Sequence, residues 1–352
     1  MSAATPASAA AEAPTPAPSA SGGFAGAAFG RFVRRNAWVI GLLVLLGLML
    51  LFTKLIQPNY GPAGFAILTV AALPYAFATA GQAIAVIAGG IDLSIAAMMA
   101  FLSVTAAVLM QGQSDEFGAV AVALILLMGL GVGAVNGLAV VLTRVPDIVV
   151  TLAFFFIWEG AALMVLGSPG GSTSTWLREL ISGTVGGALI PAEVSQWLPK
   201  ALVLTIVAVG LVWVPLRRSR IGLSLYAVGS DPLAAFRSCV PVRRTKVISY
   251  ALAGLFAAMG GLALTMNTGN ATPVQGPYLL ASVAAVVLGG VSLAGGRGGL
   301  VGPIVAVLIL RLARQDLTFL SVDPNVAQVV EGLIMVSVVL VGAFVTLRGR
   351  RT

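Results

Sequence analysis

Histidine is absent from the 352 residues, and cysteine occurs once. The first absence excludes histidine-based hydrolysis and histidine metal sites. The second excludes a disulfide within the chain. Charge is also scarce, at 9% of residues, where a soluble domain carries about 25%. With 59% hydrophobic residues and a mean hydropathy of +1.02, the chain belongs in a membrane. No G-x-x-x-x-G-K-[ST] pattern occurs, so no P-loop of its own is present.

What is there is a series of apolar runs. Ten are expected to span: Ala37–Ile56, Ala63–Ala88, Leu93–Met110, Ala119–Leu142, Ile148–Leu166, Leu198–Leu216, Val247–Met266, Leu279–Leu293, Leu300–Leu312 and Val326–Thr346. The fold class is therefore an all-α polytopic membrane bundle. Residues 1–23 are Ala, Pro and Ser with one Glu, which reads as a disordered tail. Residues 24–352 read as one transmembrane domain.

Net charge is +8. Clustering of the basic residues at helix ends fits the positive-inside rule, so no nucleic-acid partner is needed. With both termini in the cytoplasm, fifteen of the twenty Lys and Arg lie inside. Lys54, Arg178, Lys200, Arg311 and Arg314 fall outside.

The chain is organised around Gly89-Gly90-Ile91-Asp92-Leu93-Ser94. Asp92 is the sole charged residue between Lys54 and Asp115. A charge there usually faces a cavity, a partner or the interface. Two readings stand: a broken helix junction holding polar groups at a protein-lined space, or a short turn in which Asp92 caps the next helix.

Other candidates are spread along the chain. Gly129, Gly133 and Gly137 form a doubled GxxxG, which lets helices approach closely. Asn136 beside them suits a bond to a neighbouring helix, or less simply a place on a pore. Glu159 is either an interfacial residue reaching outward or a vestibule charge, and Gly160 beside it suggests close packing. Residues 167–199 form a long outer loop with a short amphipathic piece, Trp176 to Ile181. Residues 217–246 form the longest inner loop. Within it Asp231-Pro232 starts a helix through Phe236 and Arg237, either incidental to a positive-inside loop or suited to lying against a cytoplasmic partner. Gly295, Gly296 and Arg297 form a tight turn, with Arg297 holding it at the inner face.

Three blocks carry a resemblance. Gly90-Ile91-Asp92-Leu93-Ser94 resembles a GIDLS block. Ile221 to Gly229, continued by Asp231 to Val240, resembles a cytoplasmic coupling loop. Ala284 to Gly298 resembles an AAVVLGGxSLAGGxG block. From about Ala37 onward the chain resembles the membrane permease subunit of ribose-type, monosaccharide ABC importers.

That resemblance implies several partners: two permease subunits, here expected to be identical, two cytoplasmic ATPases that hold ATP and Mg, and an external sugar-binding protein. It implies a bacterial inner-membrane location and no cofactor on this chain. By the same resemblance Asp231, Pro232, Phe236 and Arg237 would couple to the ATPase. Gly89, Gly90, Asp92, Ser94, Asn136 and Glu159 would gate or line the pathway. A permease for nucleosides or branched-chain amino acids, and a self-sufficient secondary transporter, are the other readings.

The chain departs from the family at Tyr278-Leu279-Leu280-Ala281-Ser282, which lacks the acidic residues usual before the last block. Glu159 stands where the family is often basic. Ile-Ala-Ala follows Ser94 in place of Val-Gly-Ser. These changes bear on the sugar rather than on transport.

Overall fold

The computed structural model describes residues 24–186 and 191–349. The expected tail, 1–23, lies outside the described residues. The helices, in order, are α1 Phe24–Ile56, α2 Pro62–Ile87, α3 Ile95–Met110, α4 Phe117–Thr143, α5 Asp147–Val165, α6 Thr175–Ile181 and α7 Ala192–Ser195. They continue with α8 Lys200–Arg218, α9 Arg220–Ser230, α10 Pro232–Arg237, α11 Val242–Thr268, α12 Tyr278–Leu288, α13 Val301–Phe319 and α14 Pro324–Gly349. Among the described residues the remaining pairing is two isolated bridges, Gly170 with Ala271 and Thr184 with Pro199.

Six helices among the described residues are long and apolar enough to cross a membrane: Asn36–Ile56 of α1, then α2, α4, α5, α8 and α11. Helices α3 and α12 are apolar but shorter. The expected eighth span, Leu279–Leu293, stops at Leu288, where Gly289 and Gly290 end the helix. The expected ninth, Leu300–Leu312, runs on to Phe319. It takes Arg314 and Asp316 with it, and those charges hid its length from a hydropathy reading.

Helices α2 and α11 form the middle of the bundle. A helix that is apolar all round has no face to give to water and is buried by others. From Leu73 to Ile87 every residue of α2 is buried. On one side Phe77 and Ile84 pack with Ile95, Met98, Met99 and Leu102 of α3 and with Phe256 and Leu262 of α11. On the other, Leu68, Ala72 and Tyr75 pack with Leu42 and Leu46 of α1 and with Ile309 and Leu312 of α13. The outward faces carry exposed apolar side chains such as Leu48, Leu51, Met164 and Leu211. An apolar surface of that extent suits a bilayer.

The glycines of α4 sit against α11 as their spacing leads one to expect. A methyl at Gly133 would overlap the Tyr250 carbonyl, and one at Gly137 would come within 2.9 Å of Val247. Gly160 differs: nothing lies within 4 Å of where its Cβ would be. The close packing expected there does not occur, because that face of α5 turns away from the bundle.

Candidate functional site: two broken helices and a helix pair

The first break follows α2. Gly89 takes a left-handed φ of 77°. That conformation lets the Gly90 N–H donate to the Ala85 carbonyl and the Gly89 N–H to Val86, both at 2.9 Å. These two bonds close the helix end as a Schellman cap, where glycine carries no Cβ penalty. The chain then crosses the bundle interior unwound until α3 begins at Ile95.

Asp92 sits in that unwound stretch with 0% exposure. Its Oδ1 accepts from the Ser94 N–H at 2.9 Å and from the Ser94 hydroxyl at 2.6 Å. The Asn136 amide donates to Ser94 Oγ at 2.7 Å, and the Trp158 indole donates to Asn136 Oδ1 at 3.0 Å. Gln82, with its amide oriented to satisfy both groups, donates to the Asp92 carbonyl at 2.9 Å and accepts from its N–H at 3.3 Å. The Thr151 hydroxyl accepts from the Leu93 N–H at 3.1 Å. The unwound backbone is thus tied to α2, α4 and α5.

A solvated cap does not describe this geometry. Asp92 is out of water, the N-cap of α3 is Ser94, and no side chain caps the helix. Asn136 is fully buried and bridges helices. The Oδ2 of Asp92 has no hydrogen-bond partner.

A second carboxylate stands behind the break. Asp147 Oδ2 pairs with Lys246 Nζ at 2.5 Å and accepts from the Tyr250 hydroxyl at 2.9 Å. Lys246 also donates to the Gly89 carbonyl at 3.4 Å. Gly90 is needed here, because a Cβ would overlap the Asp147 carboxylate. Sequence reasoning passed over this group. The available signal was Pro146-Asp147, a helix start with an acidic first turn.

The second break follows α12 and repeats the first. Gly290, at φ 82°, lets the Val291 N–H donate to Val286 at 3.1 Å and its own N–H to Val287 at 2.9 Å. The run Ala285-Val286-Val287-Leu288-Gly289-Gly290 echoes Ala85-Val86-Ile87-Ala88-Gly89-Gly90. Beyond it, the Gly296 N–H donates to the Ile87 carbonyl at 2.9 Å. The two breaks therefore touch. Arg297 is exposed, and its carbonyl accepts from the Ser292 N–H at 3.2 Å across the turn. The turn is held by backbone bonds and by the Tyr226 hydroxyl, which donates to the Gly298 carbonyl at 2.7 Å.

Helices α9 and α10 complete the site. The Ser219 hydroxyl caps α9 by accepting from the Gly222 N–H at 3.1 Å. Asp231 caps α10, accepting from Leu233 and Ala234 N–H at 2.9 and 3.0 Å, with Pro232 in the first turn. The sequence led to α10 but not to α9. The end of α9 reaches both breaks: a Cβ on Gly229 would overlap the Ile87 carbonyl and lie 2.7 Å from the Gly296 nitrogen. A Cβ on Gly295 would lie 2.5 Å from the Gly229 carbonyl and 2.9 Å from Gly89 Cα. Phe236, 70% exposed, and Arg237 face outward from α10. Glu159 is remote from this junction and accepts from the Gln275 amide at 3.0 Å.

Comparison with known proteins identifies the family. Residues 64–339 match the family described as branched-chain amino acid transport system / permease component. The ribose import permease protein RbsC of Escherichia coli K12 is 30% identical over 318 residues, covering 89% of this chain and 96% of the relative. The autoinducer 2 import system permease protein LsrD of the same strain is 27% identical over 329 residues, covering 89% and 94%. LsrD of Shigella flexneri matches to the same extent. No solved structure matches. With a matched region that takes in both breaks and the helix pair between them, the chain belongs to this family and is a multi-pass inner-membrane permease subunit of an ABC importer, not itself catalytic.

Proposed function

We propose that this chain carries a monosaccharide, a pentose or hexose, into the cytoplasm. Two copies surround one pathway, ATPase subunits dock on α10 through Asp231, Pro232, Phe236 and Arg237, and an external binding protein delivers the solute. ATP and Mg are held by the ATPases. The observation that carries this reading is the contact of Gly229 with both broken helices. A push on α10 passes through α9 to Gly89 and Gly295 with no flexible side chain between.

In this reading Gly89, Gly90, Asp92 and Ser94 form the hinge of an inner gate, and Asn136 holds it. Gly295 and Gly296 form its counterpart. Glu159, on the half of α5 away from the hinge, fits a vestibule. Alternating access then needs two packings of the junction, biased by nucleotide on the ATPases. Other small solutes are a second reading, favoured by the family description and by the relatives that import autoinducer 2.

The test is reconstitution of the permease and its ATPase in liposomes with ATP inside, and with the binding protein and labelled ribose, galactose, a nucleoside or leucine outside. ATP-dependent accumulation of a sugar supports the proposal. Accumulation of leucine or the nucleoside alone overturns the sugar assignment.

A further inference from the structure

Helix α13 carries a polar stripe where a membrane helix ordinarily has none. Arg311, Arg314, Gln315 and Thr318 follow an i, i+3, i+4, i+7 spacing and share one face. Beside the stripe lie Leu308, Leu312 and the buried Asp316, which accepts from Thr53 of α1 at 2.8 Å. Arg311 lies ten residues along α13 from Val301, about 15 Å up the helix axis. Its guanidinium carbon stands 4.6 Å from the centre of the Tyr75 ring. The Tyr278 ring lies 4.5 Å from the Tyr75 ring. Tyr75 is itself near the middle of α2.

Among the described residues no carboxylate lies within ion-pair distance of Arg311. Arg314 is neutralised by Glu331 at 2.5 Å, and the other ion pair among the described residues is Lys246 with Asp147. Arg311 Nε is buried without an acceptor. One turn on, Gln315 Oε1 is buried without a donor. The stretch after Tyr278 reads Leu279-Leu280-Ala281-Ser282 and offers no carboxylate. A cation inside a bilayer faces a cavity or a partner rather than lipid, and here the ring of Tyr75 takes one side of it. The unmet groups are one N–H of the guanidinium and one carbonyl oxygen, which a carboxylate and a hydroxyl of the same solute would satisfy. The two tyrosine rings supply an apolar wall beside them.

We propose that Arg311, Gln315, Tyr75 and Tyr278 form an intramembrane site for a small hydroxylated carboxylate, a sugar acid in place of a neutral sugar. The carboxylate takes the guanidinium, a hydroxyl takes the Gln315 carbonyl, and the ring face lies on the tyrosines. The inference rests on the import reading above and narrows its solute.

The experiment uses the complete importer, with its ATPase and binding protein, in proteoliposomes. Labelled ribose, ribonate, galactose and galacturonate are the solutes. A sugar acid should enter at least tenfold faster than its neutral counterpart. Arg311→Gln should lower acid uptake at least tenfold while the complex still assembles. Arg311→Lys, which keeps the charge but not the fork, should lower it severalfold; this variant decides if Arg311→Gln fails to assemble, and unchanged acid selectivity in it would overturn the proposal. Uptake of the neutral sugar with exclusion of the acid, and Arg311→Gln within twofold of wild type, overturns the sugar-acid site and leaves the import reading intact. Uptake of none of the four solutes removes both.

Discussion

The N–H of Gly296 donates to the carbonyl of Ile87 at 2.9 Å, joining the turn after α12 to the end of α2. Both breaks close with a left-handed glycine, and Gly229 of α9 is wedged where they meet. The arrangement makes one mechanical unit of elements far apart in sequence.

Gly229→Ala tests that unit. The added methyl has no room, since it would overlap the Ile87 carbonyl and crowd the Gly296 nitrogen. Backbone cannot yield as a flexible side chain does, and overpacking of this kind costs about 1–3 kcal/mol. The variant should insert and still bind ATPase, with uptake reduced more than tenfold. Wild-type uptake at equal expression would show that the junction does not transmit motion.

Asp92 gives a second test. Its bonds to Ser94 are charge-assisted and buried, a class worth roughly 1.5–3 kcal/mol. Asp92→Asn keeps the shape and loses the charge; Asp92→Ala loses both. Uptake should fall in both, further in the alanine variant, while insertion and ATPase binding persist. Normal uptake by Asp92→Asn would mean that the carboxylate charge is not needed to hold the hinge.

How far the chain was readable beforehand follows from what each part depends on. Gly89-Gly90 and Asp92 were legible because they interrupt an apolar run, and Asp231-Pro232 because a cap and its proline are adjacent in sequence. Gly129, Gly133 and Gly137 were legible from their period. Asp147 with Lys246 and Tyr250, and Gly229 with Ile87 and Gly296, were not. Their meaning lies in contacts between distant segments, which periodicity does not encode. The expected ninth span stops at Leu312, just past Arg311, because Arg314 and Asp316 lower the hydropathy beyond it. Helix α13 continues past it to Phe319.

The contact between Asp115 and α6 offers a pH test. Asp115 accepts from the backbone N–H of Thr175 at 2.8 Å and also from its hydroxyl, and these bonds hold the carboxyl below its ordinary range. The sign follows from that depression. The tie is at full strength above the unfolded value of about 3.9 and is lost as pH falls through the lower folded value. Hydrogen exchange at Thr175–Ile181 should be steady from pH 7 to 5 after correction for intrinsic rates, and should rise in stronger acid. Asp115→Ala should show the raised exchange already at pH 7. A variant with wild-type protection would mean that α6 is held by other contacts.

The exposed end of α10 should behave as a dock. Phe236→Glu or Arg237→Glu changes surface chemistry without touching the core. Membrane insertion should be unchanged, with ATPase co-purification reduced at least tenfold. A complex that still assembles and transports normally would place the dock elsewhere.

The most direct measurement uses the native thiol. Cys239 is exposed two residues beyond α10, at the centre of the surface assigned to the ATPase. A membrane-impermeant maleimide should label it in inside-out vesicles and not in right-side-out ones, and bound ATPase should slow the reaction severalfold. Equal labelling from the outer side, or labelling in inside-out vesicles that ATPase binding leaves unaltered, would contradict the account of α9 and α10 as the link between ATP hydrolysis and the two broken helices.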